Sequence, residues 1–223
     1  MGILGLGSGL APSGEQAERN GRHTELDMPS WAEATLIARA QAQDDTAFDQ
    51  IVRLYADRIY NYVRRMVGHP QDAEDITQEV FLRAYQGLHQ FDGRASFSTW
   101  LFRIATNLCI DHKRRQQRRV QTVPYHRDEE EEEEGDWEFA DTSQPSALDQ
   151  LLSKELETIV EQAVERLSPK LKTVLLLYDV EGLSYEQIAE TLGIPIGTVK
   201  SRLFAAREQV RKQVEQYLRG ESE

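Results

Sequence analysis

The stretch Leu183–Val210, LSYEQIAETLGIPIGTVKSRLFAAREQV, decides how this chain folds. Ser184 followed three residues later by Gln187 is a capping-box pattern, and it predicts a short helix over Tyr185–Leu192. Gly193 stands where a helix-ending left-handed residue is wanted, and Pro195 discourages continuation. A second helix, from about Gly197 to Leu218, then places Val199, Leu203, Ala206 and Val210 on one buried stripe. A short helix, a glycine turn and a second helix make helix-turn-helix spacing. Thr198, Lys200, Ser201, Phe204 and Arg207 lie off that stripe near the N-terminal half of the second helix, the part that enters a major groove. Lysine and arginine reach phosphates or guanine edges, serine and threonine contact backbone or bases, and Phe204 suits a thymine methyl. An ordinary helical hairpin is the alternative. The agreement of cap, turn glycine, proline and a polar-basic face favours DNA.

Upstream of this segment, Leu148–Leu167 and Pro169–Val180 read as further helices of the same group. Near the other end of the chain, Phe48, Ile51, Val52, Tyr55, Ile59, Tyr62, Val63 and Met66 recur at three-four spacing within Ala47–Val67. Ala73, Ile76, Val80, Ala84 and Leu88 do so within Ala73–Leu88, and a third helix over about Ser96–Arg118 buries Phe97, Leu101, Ile104 and Leu108. No strand alternation and no internal repeat is visible. The fold class is therefore all-α: two small helical domains, residues 31–119 and 151–223. The intervening residues 120–150 carry two prolines and six successive glutamates, whose repulsion predicts a flexible acidic linker. Residues 1–30 hold six of the 14 glycines with little apolar periodicity, and are expected to be disordered.

The net charge of −12 conceals a strong asymmetry. Residues 88–123 hold seven Lys/Arg against two Asp/Glu, whereas residues 124–150 hold one Arg against eleven Asp/Glu. The basic segment is the footprint of a nucleic-acid surface, with a solvated helix end as its bland alternative. On that helix Trp100, Arg103, Asn107, Asp111, Arg114 and Arg118 follow at three- or four-residue steps, a face that runs from an aromatic ring to arginines. Aromatic rings stack on unpaired bases and cations hold the backbone, so this order suits DNA that is duplex at one end and single-stranded at the other. The preceding loop, FDGRAS, has Gly93 for a tight bend and Arg94 for a phosphate. Trp100 reads equally as a base contact and as a core aromatic.

Catalytic readings fail on residue types. Cys109 and His112 lie one turn apart, but no further cysteine completes a zinc site, and no metal or other cofactor is expected. Asp72, Glu74, Asp75 and Glu79 could be imagined around magnesium, yet Glu74 and Asp75 diverge around the helix, and no partnered His or Lys suits acid-base work. No phosphate-cradling glycine loop is present. The lone cysteine fits a reducing compartment, and no apolar run approaches the roughly 20 residues of a membrane span, which together suggest a cytoplasmic protein.

In two blocks the chain resembles a bacterial sigma factor of the extracytoplasmic-function (ECF) type. DAEDITQEVFLRAYQGLHQFDGRASFSTWLFRIATNLCIDHKRR is similar to the family's second region, and LSPKLKTVLLLYDVEGLSYEQIAETLGIPIGTVKSRLFAAREQV to its fourth. The resemblance implies a dissociable initiation subunit of RNA polymerase, not an enzyme. The first domain would recognise and melt the minus-ten promoter element through Arg94, Trp100, Arg103, Asn107, Lys113, Arg114 and Arg118. The second would read the minus-thirty-five element as duplex through Thr198, Lys200, Ser201, Phe204 and Arg207. Asp75, Gln78, Glu79 and Leu82 match the surface that docks on the clamp helices of the largest polymerase subunit, and the second domain would meet the flap of the second-largest. The acidic linker would thread the polymerase cleft, and an anti-sigma factor is a further implied partner. The chain departs from the pattern at Ala205, where the family frequently has a basic residue. Two alternatives remain from the residues alone: a stand-alone helix-turn-helix regulator of duplex DNA, and a metal-dependent nucleic-acid enzyme.

Overall fold

The structure, a computed structural model, describes residues 30–120 and 147–219. The expected disorder of the N-terminal extension and the expected path of the acidic linker lie outside the described residues. Among these residues the regular structure is helical: α1 (Ser30–Gln41), α2 (Asp45–Val67), α3 (Pro70–Gly87), α4 (Phe97–Val120), α5 (Ala147–Glu165), α6 (Pro169–Leu175), α7 (Tyr185–Leu192) and α8 (Ile196–Leu218). Helix α5 thus starts inside the interval read as linker.

Local chemistry sets the helix ends. The Asp44 carboxylate caps α2 by accepting from Ala47 N–H at 3.2 Å, and Gly68 closes that helix at φ +92°, donating to the Arg64 carbonyl at 2.9 Å. Pro70 opens α3 at a position where its missing N–H costs nothing. Ser96 Oγ accepts from Thr99 N–H at 3.1 Å at the start of α4. Helices α2, α3 and α4 then pack on one another with α1 laid against α2. Their core holds Tyr55, Ile59, Tyr62, Met66, Val80, Leu101 and Phe102, with Tyr62 edge-on to Phe102 at 5.3 Å and its hydroxyl bonded to Thr106 Oγ1 at 2.7 Å. Ile104, expected in the core, is only half-buried, and Phe102, Ala105, Thr106 and Cys109 are buried instead. The buried arc of α4 is wider than one stripe because the helix packs on α2, α3 and α7.

In the C-terminal group α8 packs on α5, α6 and α7. The chain does not run as a plain α-helix to Val180. From Leu176 it widens into a π-type turn, with Glu181 N–H bonded to the Leu176 carbonyl at 3.0 Å. Leu183 N–H then reaches the Leu177 carbonyl at 2.9 Å. Such a bulge re-aims the side chains that follow it, and bulges of this kind are frequent at functional sites.

The two groups are docked. Helix α7 lies on α4 and α6 touches α2. The Arg58 guanidinium, stacked over the Phe102 ring at 5.5 Å, meets the buried Glu181 carboxylate at 3.3 Å. Burial pushes the Glu181 carboxyl upward while Arg58 pulls it down. Thr173 Oγ1, which donates to the Pro169 carbonyl at 2.7 Å, lies 3.7 Å from Met66 Sδ, and Gln187 Nε2 reaches Ser96 Oγ at 3.5 Å.

Candidate nucleic-acid interfaces

Two exposed helical faces carry the chemistry read from sequence. On α8, Val199, Leu203 and Ala206 face inward as expected and Val210 is half-buried. The capping box that starts α7 is complete: Ser184 Oγ accepts from Gln187 N–H at 3.2 Å, and Gln187 Oε1 accepts from Ser184 N–H at 2.8 Å. Gly193 turns the chain at φ +62°, and Pro195 caps α8. Beyond that turn Lys200, Ser201 and Phe204 are exposed and Thr198 is half-exposed. Phe204 is 71% accessible, an apolar ring with no place in the core. Arg207 is differently engaged: its Nε donates to Asp179 at 3.2 Å, a terminal nitrogen makes a second bond to the same carboxylate, and its guanidinium lies 5.2 Å from the Tyr178 ring centre. Ala205 is half-exposed and leaves a short uncharged gap beside Phe204.

On α4, Arg103, Asn107, Arg114 and Arg118 are exposed along one side, with Trp100 at the top. Trp100 is half-buried. Its ring leans on Phe91 at 5.4 Å and Phe97 at 5.5 Å, and these two rings meet edge to face at 5.5 Å. The ring is therefore braced by core aromatics and passes close to Gly87 of α3, while part of it remains accessible. Asp111 pairs with Arg114 at 3.7 Å, which partly neutralises that end of the row. In the preceding loop Asp92 accepts from Arg94 N–H at 3.1 Å and pairs with its guanidinium at 3.0 Å, while Gly93 supplies φ +72°. The Arg94 side chain is 88% accessible.

Lys113 does not join this row. It is half-buried on another side of α4, and its ammonium is pulled down by burial, with Cys109 and Glu165 acting against that shift. Glu165 belongs to α5, so Lys113 faces the second domain. Cys109 beside it is buried, its thiol pushed up to about 12, and His112 pairs with Asp72 of α3 at 3.2 Å. Among the described residues no three His, Cys, Asp or Glu side chains converge on a position for a metal ion.

A third surface lies on α3. Asp75, Gln78 and Leu82 are exposed at successive turns, Leu82 to 51%, and Glu79 bonds Arg83 at 2.7 Å. Tyr85, exposed one turn further on and bonded to Asp45 at 2.8 Å, extends this surface although the sequence reading did not include it. Also missed were Arg58, Lys172, Tyr178, Asp179, Glu181 and Tyr185. Their partners lie on other helices, so local spacing carries no trace of them.

The comparisons with known proteins divide the chain at the same place. Residues 51–119 match the model of sigma-70 region 2 and residues 157–210 that of sigma-70 region 4. The RNA polymerase sigma-H factor of Pseudomonas aeruginosa is 39% identical over 184 residues, covering 82% of this chain and 94% of its own. The ECF RNA polymerase sigma factor SigW of Bacillus subtilis is 40% identical over 181 residues, covering 80% and 94%. The chain belongs to the ECF sigma factors. It is an RNA polymerase sigma factor, directing promoter-specific initiation of transcription. The fold agrees. CnrH, solved in complex with the cytosolic domain of CnrY, superposes on this sigma factor with a TM-score of 0.59 at 23% identity, over 82% of this chain and 97% of CnrH. The Bartonella quintana sigma factor RpoE, solved with the anti-sigma factor NepR, gives 0.58 at 23%, over 75% and 96%. Among the described residues no helix is long and apolar enough to cross a membrane.

Proposed function

We propose that residues 31–119 capture the minus-ten element and dock on core polymerase, that residues 151–223 read the minus-thirty-five element as duplex, and that residues 120–150 join them. The observation that carries this reading is the pairing, in one chain, of a braced aromatic-to-cationic face on α4 with a capped helix-turn-helix presenting Lys200, Ser201 and Phe204.

At the minus-ten element the accessible part of the Trp100 ring stacks on an unpaired non-template base, while Arg103, Asn107, Arg114 and Arg118 hold the adjoining phosphates. Arg94 lies on the loop beside the stacked base and exchanges Asp92 for a phosphate. At the minus-thirty-five element Lys200 and Ser201 reach base edges or phosphates, Thr198 lies at the helix start, and Phe204 covers a thymine methyl. Asp75, Gln78, Glu79 and Leu82 form the polymerase-facing surface, an acidic rim around an exposed leucine. Lys113 and Arg207, though basic and on the same two helices, are engaged within the protein. The bond-making chemistry of RNA synthesis belongs to the polymerase, so the factor acts in the cytoplasm as a specificity subunit and not as an enzyme. An anti-sigma factor is a further partner in this proposal; the Bartonella quintana sigma factor RpoE was solved in complex with one.

The test separates the two faces within the reconstituted holoenzyme. Trp100→Ala is expected to slow strand opening, read with a fluorescent base analogue, and to leave binding of an upstream duplex unchanged. Phe204→Ala is expected to do the reverse. If both variants affect the same step equally, the division of labour is wrong.

A further inference from the structure

The wide turn at Leu176–Val180 aims two side chains at the recognition helix. Tyr178 stacks on Tyr185, the first residue of α7, with ring centres 4.8 Å apart and planes 12° from parallel. Each outer end of this stack meets a cation of α8. The Lys200 ammonium lies 5.4 Å from the centre of the Tyr185 ring, and the Arg207 guanidinium 5.2 Å from that of Tyr178. Asp179, next along the turn, takes two bonds from the same guanidinium. Lys200 and Arg207 are seven residues apart, two helical turns or about 10 Å along the axis, and so project on the same side. Two stacked rings fill that interval.

The position of this row on α8 matters. At about 100° per residue, Lys200 and Arg207 fall between the buried stripe of Val199, Leu203 and Ala206 and the outward face holding Ser201 and Phe204. They mark the helix edge nearest the wide turn. A two-residue aromatic stack held at both ends resists rotation of α8 about its own axis.

We propose that Tyr178 and Tyr185, with Asp179 and Arg207, are positioning residues for promoter recognition: the stack sets the rotation of α8 and presents Lys200 to DNA, and Arg207 is a strut, not a DNA contact. This rests on the reading of α8 as the minus-thirty-five helix. The Tyr185 ring face holds the Lys200 ammonium without consuming its donors, and the nearby Glu186 carboxylate, lowered by a backbone hydrogen bond and in part by the Lys200 charge, is its acidic neighbour on α7. Arg207, by contrast, has its charge answered by Asp179 and adds little to the ions displaced when DNA binds.

The experiment uses the holoenzyme and a duplex upstream-element probe, taken from a promoter that the wild-type holoenzyme transcribes, with binding measured over a salt series. Tyr185→Phe keeps the ring and is expected to bind within twofold of wild type. Tyr185→Leu is expected to lose affinity three- to tenfold and to flatten the salt slope toward that of Lys200→Ala, which loses about one displaced ion. Adding Lys200→Ala to Tyr185→Leu should then cost less than twofold. Arg207→Ala and Asp179→Ala are expected to weaken binding by similar factors with an unchanged salt slope, and the double variant no more than either. Polymerase assembly and the melting curve serve as folding controls, with Tyr178→Phe as a conservative second site. Additive losses for Tyr185→Leu and Lys200→Ala, or a slope reduced by one ion in Arg207→Ala, overturn the proposal. A wild-type holoenzyme that transcribes nothing overturns instead the reading on which it rests.

Discussion

Lys172 is buried at the junction of the two domains, 3% accessible, with Lys113 and Arg64 of the first domain repelling its charge and Glu165 alone favouring it. Burial is the larger cause, and together these hold its ammonium at about 8 against an ordinary 10.5. A shift of that size corresponds to a ceiling of about 3 kcal/mol. With solvent screening of the neighbouring charges, about half of it remains at neutral pH. Because the folded-state value is depressed, the unfolded chain binds more protons between about pH 8 and 10.5, so unfolding free energy rises with pH across that window. Below pH 8 the penalty is full and constant. Lys172→Met keeps the stem and removes the charge. It is expected to raise the melting temperature at pH 7 by about 3–6 °C, since about 1 kcal/mol corresponds to 2–4 °C in a chain of this size. The difference from wild type should close as pH rises past 8, whereas Lys172→Arg, which cannot deprotonate, should be destabilised throughout. Melting curves at pH 7, 8.5 and 9.5 read all three. A methionine variant no more stable than wild type at pH 7, or a difference that does not narrow with pH, would refute the reasoning.

Arg58→Ala leaves the Glu181 carboxylate buried without its cation, and is expected to cost about 3 kcal/mol of docking; fluorophores on the two domains should move apart, while Arg58→Met with Glu181→Leu keeps them close. Gly193→Ala meets no atom within 4 Å, so its expected cost of about 1 kcal/mol is purely the left-handed backbone and should appear as a melting temperature lowered by about 2–4 °C. Glu79→Lys reverses charge on the α3 surface proposed to dock on polymerase and repels its neighbour Arg83; association with core polymerase should weaken about tenfold in a fluorescence titration, and an unchanged affinity would return that surface to an ordinary solvated face.

Local rules made the helix-turn-helix readable. A capping box, a left-handed glycine and a proline each act within four residues, and Ser184, Gly193 and Pro195 stand where they were expected. The stripes of α2 and α3 were readable for the same reason, since one buried side per helix leaves a three-four period. Helix α4 was less so: it packs on several neighbours, which buries Phe102 and Cys109 and leaves Ile104 half-covered. Charge alone does not say where a long side chain turns. Lys113 sits among the basic residues of the sequence but turns toward the second domain, and Arg207 lies on the second helix of the helix-turn-helix yet is tied to Asp179. Both placements depend on where other helices come to rest. The widening at Leu176 likewise has no local signature, and with it Tyr178, Asp179 and Glu181 went unread.

The measurement that bears most directly on the central claim is run-off transcription with purified core RNA polymerase from the same source, with and without this protein, on a library of the organism's upstream DNA. Specific transcripts that require both components are expected, with start sites that share two spaced sequence elements. No transcript with the combined components, together with tight binding of duplex DNA by the protein alone, would contradict the account and favour a conventional regulator.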